Sequence, residues 1–283
     1  MWIALNNLSI KLSDVNYKLD VFICYWDYFM KIAIFIPTHL DSSRFPRKAL
    51  YPFHGLPMVE HVRRRTLLFK EISDVYVTTC DKEISDLIES CGGDVIMTSS
   101  AHKNGTTRVA EAIKSTDCTH AILVQGDEPL LLPKHLKLLT DAIKREPNVD
   151  SWNATSPIEK SEELDQHSLV KCSVSESNRI LYCFRRNPSY GKLDLQKNYT
   201  RKLLGLIAYK AEFLDEFARL PASRIEISES IEQMRIIESG HRIYSVPVFP
   251  SLPSVNEPED VDVVLEYFKA NEEQQSILAK ILG

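Results

Sequence analysis

Residues 124–129, Val-Gln-Gly-Asp-Glu-Pro, set two carboxylates, Asp127 and Glu128, directly behind the apolar run Ala121-Ile122-Leu123-Val124. Such a run reads as a buried strand. Acids at its end then fall on the carboxyl edge of a sheet, where open α/β folds bind ligands. Pro129 stops the strand from continuing. A carboxylate there can hold Mg²⁺, which takes oxygen ligands and shares them with substrate phosphates. A polar strand end followed by a turn explains the same residues, so the hexapeptide alone does not decide.

A second segment adds weight. Residues 32–36, Ile-Ala-Ile-Phe-Ile, suit a buried strand, and the loop behind them carries Ser42, Ser43, Arg44, Arg47 and Lys48. Pro37 and Pro46 stiffen that loop. Hydroxyls, backbone N–H groups and cations between a strand and a helix suit a triphosphate. Neither Gly-x-x-x-x-Gly-Lys-Ser/Thr nor Gly-x-Gly-x-x-Gly is present. A basic loop that serves only solubility is the competing reading.

Together these segments resemble the sugar-activating cytidylyltransferases, above all the 3-deoxy-manno-octulosonate (Kdo) cytidylyltransferase family. The resemblance runs in family order from about Lys31 to about Val264. Ile36-Pro37, Ser42-Ser43-Arg44-Phe45-Pro46 and Lys48 are similar to its nucleotide loop. His102 to Arg108 is similar to its His-x-x-Gly-Thr-x-Arg segment, and Gln125-Gly126-Asp127-Glu128-Pro129 to its signature. Leu181-Tyr182 with Arg185, then Gly205 with Tyr209, resemble sugar-side strands. Glu226, Glu229, Glu232-Gln233 and Arg235 resemble an acidic helix, and Pro258-Glu259-Asp260 a closing motif.

The resemblance implies an α/β fold of three layers, like nucleotide-diphospho-sugar transferases: a mostly parallel, Rossmann-like sheet with a smaller sugar-binding or dimerisation lobe at about 150–210. It implies transfer of CMP from CTP to the anomeric hydroxyl of a 2-keto-3-deoxy sugar acid, with Mg²⁺ as cofactor. A cytoplasmic homodimer that supplies lipopolysaccharide or another surface glycan goes with it. Arg44, Lys48 and Asp127 are then catalytic. Ser42, Ser43, Arg44, Lys48, Gly105, Thr106 and Arg108 hold the nucleotide. Gln125, Arg185 (or its neighbour Arg186), Tyr209, Glu226, Glu229 and Gln233 face the sugar, the last three glutamate and glutamine positions sharing one helix face. A helix capped by Thr106 with an exposed Arg108 is the plainer reading of that segment.

Departures fall on the metal and sugar sides. The closing motif normally begins with a second metal-binding Asp, and here that residue is Asn256. Asp127 and Asn256 are therefore the expected metal ligands, with one formal charge fewer. His39 and Arg47 stand where the family has Arg and Gly, and Leu203 and Ile207 where it has His and Tyr. Exchanging polar liners for apolar ones shifts specificity, so Kdo, an amino or deoxy variant, and another acidic sugar or a phosphonate all stay open. A non-catalytic nucleotide- or sugar-binding relative, disabled by Asn256, is the alternative of a different class.

The rest of the chain must position these groups. At 283 residues with 44% apolar and 26% charged residues and a net charge of −5, it suits one large α/β domain. No basic excess exists for nucleic-acid binding, and Arg63-Arg64-Arg65 reads as a solvated helix face. Six cysteines without a C-x-x-C pair read as reduced and mostly buried. Val21–Trp26 is too short to span a bilayer, and the N-terminus lacks the marks of a secretory signal. Met30 is read as the true start, which makes 1–29 an extension ahead of a single domain over 30–283.

Strands are expected near 31–36, 74–79, 93–97 and 120–124, with helices near 57–70, 82–91, 106–115 and 133–145. That rhythm predicts parallel strands with helices on both faces. Short strands near 151–158, 168–174 and 179–184 follow, then a polar loop over 186–202. Strand 203–210, helix 224–239, strand 242–248 and helix 257–281 complete the order.

Overall fold

A computed structural model describes residues 30–283 and the short strands Ala4–Leu5 and Leu8–Ser9, which pair antiparallel. The chain divides into a unit of residues 1–31 and a unit of residues 32–283. Whether 1–29 pack into a core lies outside the described residues.

The main unit is built on a nine-stranded sheet and also contains a two-stranded hairpin, Pro52–Phe53 with Leu56–Pro57. The first half follows the expected rhythm: β1 (Ile32–Pro37), α1 (Met58–Leu67), β2 (Val75–Thr79), α2 (Lys82–Ser90), β3 (Asp94–Met97), α3 (Gly105–Ala112), β4 (His120–Val124) and α4 (Pro133–Arg145). β3, β2, β1 and β4 lie side by side and all run parallel. Their residues are buried in β1 and β4 because helices cover both faces of a parallel sheet. Pro133 opens α4 at a position where its missing N–H is no loss.

The second half comprises β5 (Ser151–Pro157), β6 (Lys171–Val174), β7 (Ile180–Phe184), β8 (Thr200–Lys210) and β9 (Ile243–Pro247). β8 is the organising strand: it runs antiparallel to β4, β5 and β6. Its pairing with β5 breaks register between Leu203 and Ile207, around Gly205. β6 also pairs with β7, and β5 with β9.

One sheet face packs Phe35, Leu123 and Ile207 against Val109, Phe213, Phe217 and Met234 in a single buried cluster. Those partners come from α3, α5 (Ala211–Phe217) and α7 (Gln233–Glu238). A second cluster joins Met58 of α1 to Leu130, Val255, Val261 and Phe268. It fastens the segment before α8 (Asp260–Ala270) beside the end of β4.

Two expected helices are each divided. The 224–239 segment forms α6 (Arg224–Glu229) and α7, parted at Ser230, whose φ of 53° is left-handed. The C-terminal segment forms α8 and α9 (Glu272–Leu282), parted at Asn271, whose side chain caps α9 by accepting from the Gln274 N–H. The loop 186–202 contains the short helix Leu193–Gln196 and the start of β8. Of the described cysteines, Cys172 and Cys183 are buried, while Cys80, Cys91 and Cys118 are partly exposed; all five are free thiols. No helix among the described residues is long and apolar enough to cross a membrane.

Two buried histidines make the fold sensitive to acid. Burial and the nearby Arg65 push His61 down to about 3, and burial with Lys210 pushes His120 down to about 4. Both rings are neutral in the fold, whereas unfolded histidines take up protons near pH 6.5. Their contribution is therefore complete above that pH and lost as pH falls toward the folded values. Urea unfolding should show stability falling by about 1.4 kcal/mol per pH unit per histidine below about pH 6; an unchanged midpoint would show that both rings charge freely inside the fold.

Candidate active site

The carboxyl ends of β1 and β4 meet in a cavity of about 400 Å³. Ser42, Ser43, Arg44 and Lys48 line it from the loop after β1, and Gln125 and Asp127 from the turn after β4. Thr38, His39, Asp41, Met58 and Lys103 also line it. Sequence-distant groups thus converge because two neighbouring parallel strands end at one sheet edge.

Lys48 is the centre of the arrangement. Its Nζ donates to Asp127 Oδ2 at 2.6 Å and to the Val255 carbonyl at 2.9 Å. Val255 N–H in turn donates to the Asp127 carbonyl at 2.9 Å. Arg44 reaches the next two residues, donating to Glu257 Oε1 at 3.3 Å and Asn256 Oδ1 at 3.4 Å. Asp260 holds that loop from below, accepting from the Asn256 and Glu257 N–H groups at 2.7 and 2.9 Å. Asn256 is therefore within the shell of the site, bound to Arg44.

Close approach fixes the turn after β4. The Gln125 N–H donates to the Gly205 carbonyl at 3.0 Å. A Cβ on Gly205 would come within 2.6 Å of Glu128 Oε1 and 3.0 Å of Gln125 Cγ. A Cβ on Gly105, at the start of α3, would lie 2.9 Å from Pro37 Cγ. Burial, and then Asp127, push the Glu128 carboxyl up to about 8, so that it is largely protonated at neutral pH. Burial and then Arg108 lower His39, which keeps its ring neutral.

Other residues expected at the site have different surroundings. Asn104, and not Thr106, caps α3, accepting from the Thr107 N–H at 2.9 Å. Thr106 is buried, with its hydroxyl 3.2 Å from the Tyr209 hydroxyl and donating to Glu232 Oε2 at 2.9 Å. Tyr209 is 1% exposed, so it stands in the core and not on a cleft wall. Burial raises Glu232 to about 7. Arg108 is buried, not exposed, and donates to Thr98 Oγ1 at 2.6 Å and to the Ser99 carbonyl. His102 pairs with Glu111, and Arg47 with Glu83.

The left-handed Ser230 separates Gln233, in α7, from the face that Glu226 and Glu229 share on α6. Glu226 is held by Arg235, Nε to Oε2 at 2.6 Å, and by its capping box with Ser223. Gln233 donates to Asn153 Oδ1 at 3.1 Å. Arg185 and Glu229 line a second, larger cavity with Arg186, and Arg44 and Glu257 belong to its wall as well. Lys103 and Glu257 had no chemical signal in the sequence, since single charges on loops look like ordinary surface.

Among the described residues no group of three or more His, Cys, Asp or Glu side chains could hold a metal ion. Asp127 offers one carboxylate, and Asn256 a neutral oxygen. Mg²⁺ commonly takes one or two carboxylates and fills its shell with water and phosphate. The donor set fits that ion in the company of a nucleotide, not alone.

Parallel strands that end in a basic, hydroxyl-bearing loop facing an acid define a nucleotide-handling α/β enzyme. The Cytidylyltransferase family matches residues 33–243. An 8-amino-3,8-dideoxy-manno-octulosonate cytidylyltransferase of Shewanella piezotolerans is 36% identical over 239 residues, covering 83% of this chain and 97% of the relative. A 3-deoxy-manno-octulosonate cytidylyltransferase of Chlorobium limicola is 34% identical over 237 residues, covering 83% and 96%. A solved CMP:2-keto-3-deoxy-manno-octonic acid synthetase complexed with CTP matches with a TM-score of 0.79 at 30% identity, covering 84% of this chain and 98% of that one. The chain belongs to the cytidylyltransferase family and is a CTP-using nucleotidyltransferase.

The contacts of Gly205 supply a test. Gly205→Ala should destabilise the fold by about 1–3 kcal/mol and lower turnover by displacing the 125–128 turn. A variant with unchanged melting and turnover would show that the turn has slack there.

Proposed function

We propose that this protein transfers CMP from CTP to the anomeric hydroxyl of a 2-keto-3-deoxy sugar acid, forming a CMP-sugar and pyrophosphate. The observation that carries the reading is Asp127 paired with Lys48 at 2.6 Å inside the cavity under the Arg44 loop. The names of the relatives support a Kdo or 8-amino-Kdo acceptor.

Oxygen of the sugar hydroxyl bonds to the α-phosphorus, the bond to the β-phosphate oxygen breaks, and the hydroxyl proton is released. Such displacement relies on positioning and charge neutralisation. Arg44, with its planar fork, and Lys48 neutralise the departing β- and γ-phosphates. Ser42 and Ser43 donate to phosphate oxygens. Gly105 lets the α3 terminus pack on Pro37 at the cavity edge, with Thr106 and Arg108 supporting it from within the fold. Gln125, on the wall of the same cavity, faces the sugar in this reading. Asp127, with Asn256 beside it, would hold Mg²⁺, which when bound neutralises phosphate charge and acidifies the attacking hydroxyl. The reading includes a cytoplasmic homodimer that supplies a surface glycan such as lipopolysaccharide.

A non-catalytic relative is disfavoured because Arg44, Lys48 and Asp127 all stand at one cavity. A screen of pyrophosphate release with CTP and acidic sugars tests the proposal directly. Asp127→Asn should lower kcat by about 10²–10³-fold, equivalent to several kcal/mol of transition-state stabilisation, and should lower the melting midpoint through loss of the Lys48 counter-ion while leaving a folded chain by circular dichroism. Near-normal turnover would remove Asp127 from its role. Asn256→Asp should lower the Mg²⁺ concentration needed for half-maximal release, by the added charge; an unaltered magnesium titration would mean that position 256 does not face the ion.

A further inference from the structure

The chain just beyond Asp127 enters the core with two backbone carbonyls to satisfy. Leu130 and Leu131 are buried, and a buried carbonyl needs a donor from within the fold. An ordinary turn bond to the Leu130 carbonyl would come from residue 133, which is Pro133 and has no N–H. Both donors are instead side chains remote in sequence. Gln274, in α9, donates from Nε2 to the Leu130 carbonyl at 2.8 Å. Arg65, in α1, donates from Nη1 to the Leu131 carbonyl at 3.1 Å and to Gln274 Oε1 at 2.7 Å. Gln274 and Arg65 are each fully buried, and the guanidinium lies over the Phe268 ring of α8, 5.3 Å from its centroid. At the other end of α9, Arg64 Nη1 donates to the Ile281 carbonyl at 2.7 Å, and Ile277 and Ile281 pack on Leu132.

Helix packing alone does not call for an amide at position 274. Both acceptors of Arg65 are neutral oxygens, although a buried cation is better matched by a carboxylate. A carboxylate at 274 would hold the guanidinium more tightly, but it has no hydrogen to give to the Leu130 carbonyl. Only a group with both a donor and an acceptor serves Leu130 and Arg65 together. What the amide adds over an ion pair is therefore a fixed position for Leu130. That position reaches the acidic turn, because the Leu131 N–H donates to the Glu128 carbonyl at 3.1 Å and the Asp127 carbonyl is itself held by the Val255 N–H. Resting on the role given to Asp127 above, we propose that Gln274 is a positioning residue for that carboxylate. Through the Leu130 carbonyl, the C-terminal helix fixes where Asp127 stands relative to Lys48 and the phosphate cavity.

The test sets catalysis against stability in the full chain. Gln274→Glu keeps the acceptor for Arg65 and gives it a counter-ion, so the melting midpoint should equal or exceed that of the unaltered protein. Well below that midpoint, pyrophosphate release from CTP, Mg²⁺ and whichever of 3-deoxy-manno-octulosonate and its 8-amino analogue the unaltered protein uses should fall about tenfold or more in kcat, the scale of a small misplacement. KM for the sugar should stay within about twofold. Calorimetric titration of Mg²⁺ into the protein with CTP, without sugar, should show binding weakened about threefold or more, since the Asp127 carboxylate has moved. Gln274→Met, which removes donor and acceptor together, should lower both kcat and the melting midpoint. Full kcat and full Mg²⁺ binding in Gln274→Glu would overturn the positioning role, as would a fall in kcat that only follows a fall in melting. Should Gln274→Glu fail to fold, Gln274→Met decides, and full turnover in it would overturn the role as well. No release by the unaltered protein with either sugar would overturn the transferase reading and this inference with it.

Discussion

The salt bridge between Lys48 and Asp127 holds the site together. One ammonium joins the loop after β1, the turn after β4 and the segment before α8, through Asp127 and the Val255 carbonyl. Side chains of both partners are only about one-fifth exposed, at 18% and 21%. Removing one member of such a pair leaves a charge in poorly solvated surroundings, which is more damaging than removing a surface pair. Arg44 repeats the connection farther out, where both partners are half exposed and the pair is correspondingly weaker. Lys48 and Arg44 are therefore each paired with a carboxylate of the chain itself.

The strand frame fixes the geometry of the Lys48–Asp127 pair. β4 delivers Asp127 from a fully buried strand, and β8 braces the following turn through Gly205. The register break around Gly205 lets Gln125 and the carboxyl of Glu128 press against a strand that has no side chain there. Adjacent acids consequently have separate duties: burial holds Glu128 in its neutral form, while Asp127 faces Lys48 across the cleft. Different environments for neighbouring carboxyls are a common means of dividing roles within one site.

The parallel half of the sheet was legible because its strands are short apolar runs, each ended by a proline, an acid or a polar turn. Ser42 to Lys48 and Asp127 were legible for the same reason: strand ends place loop residues at a sheet edge. The sugar-side assignments were less readable. Tyr209 and Thr106 look like ligand-facing polar groups in one dimension, yet their hydroxyls satisfy each other and Glu232 in the interior. Glu226 belongs to Arg235 by a nine-residue separation that crosses a chain reversal. Helical periodicity passes through Ser230 without a glycine or proline to mark the stop, so the division of α6 from α7 is set by tertiary contacts. Arg185 similarly binds carbonyls that only the folded chain brings together.

Arg44 stands on the wall between the two cavities, which bears on how substrates meet. Its partners Asn256 and Glu257 belong to a loop tied to Asp127 by the Val255 N–H and to α8 by Asp260. On the reading proposed above, a phosphate that engages Arg44 competes with Glu257 and Asn256 for the same guanidinium. A single guanidinium thus borders both cavities, held by a loop that is itself braced at Asp127 and at α8.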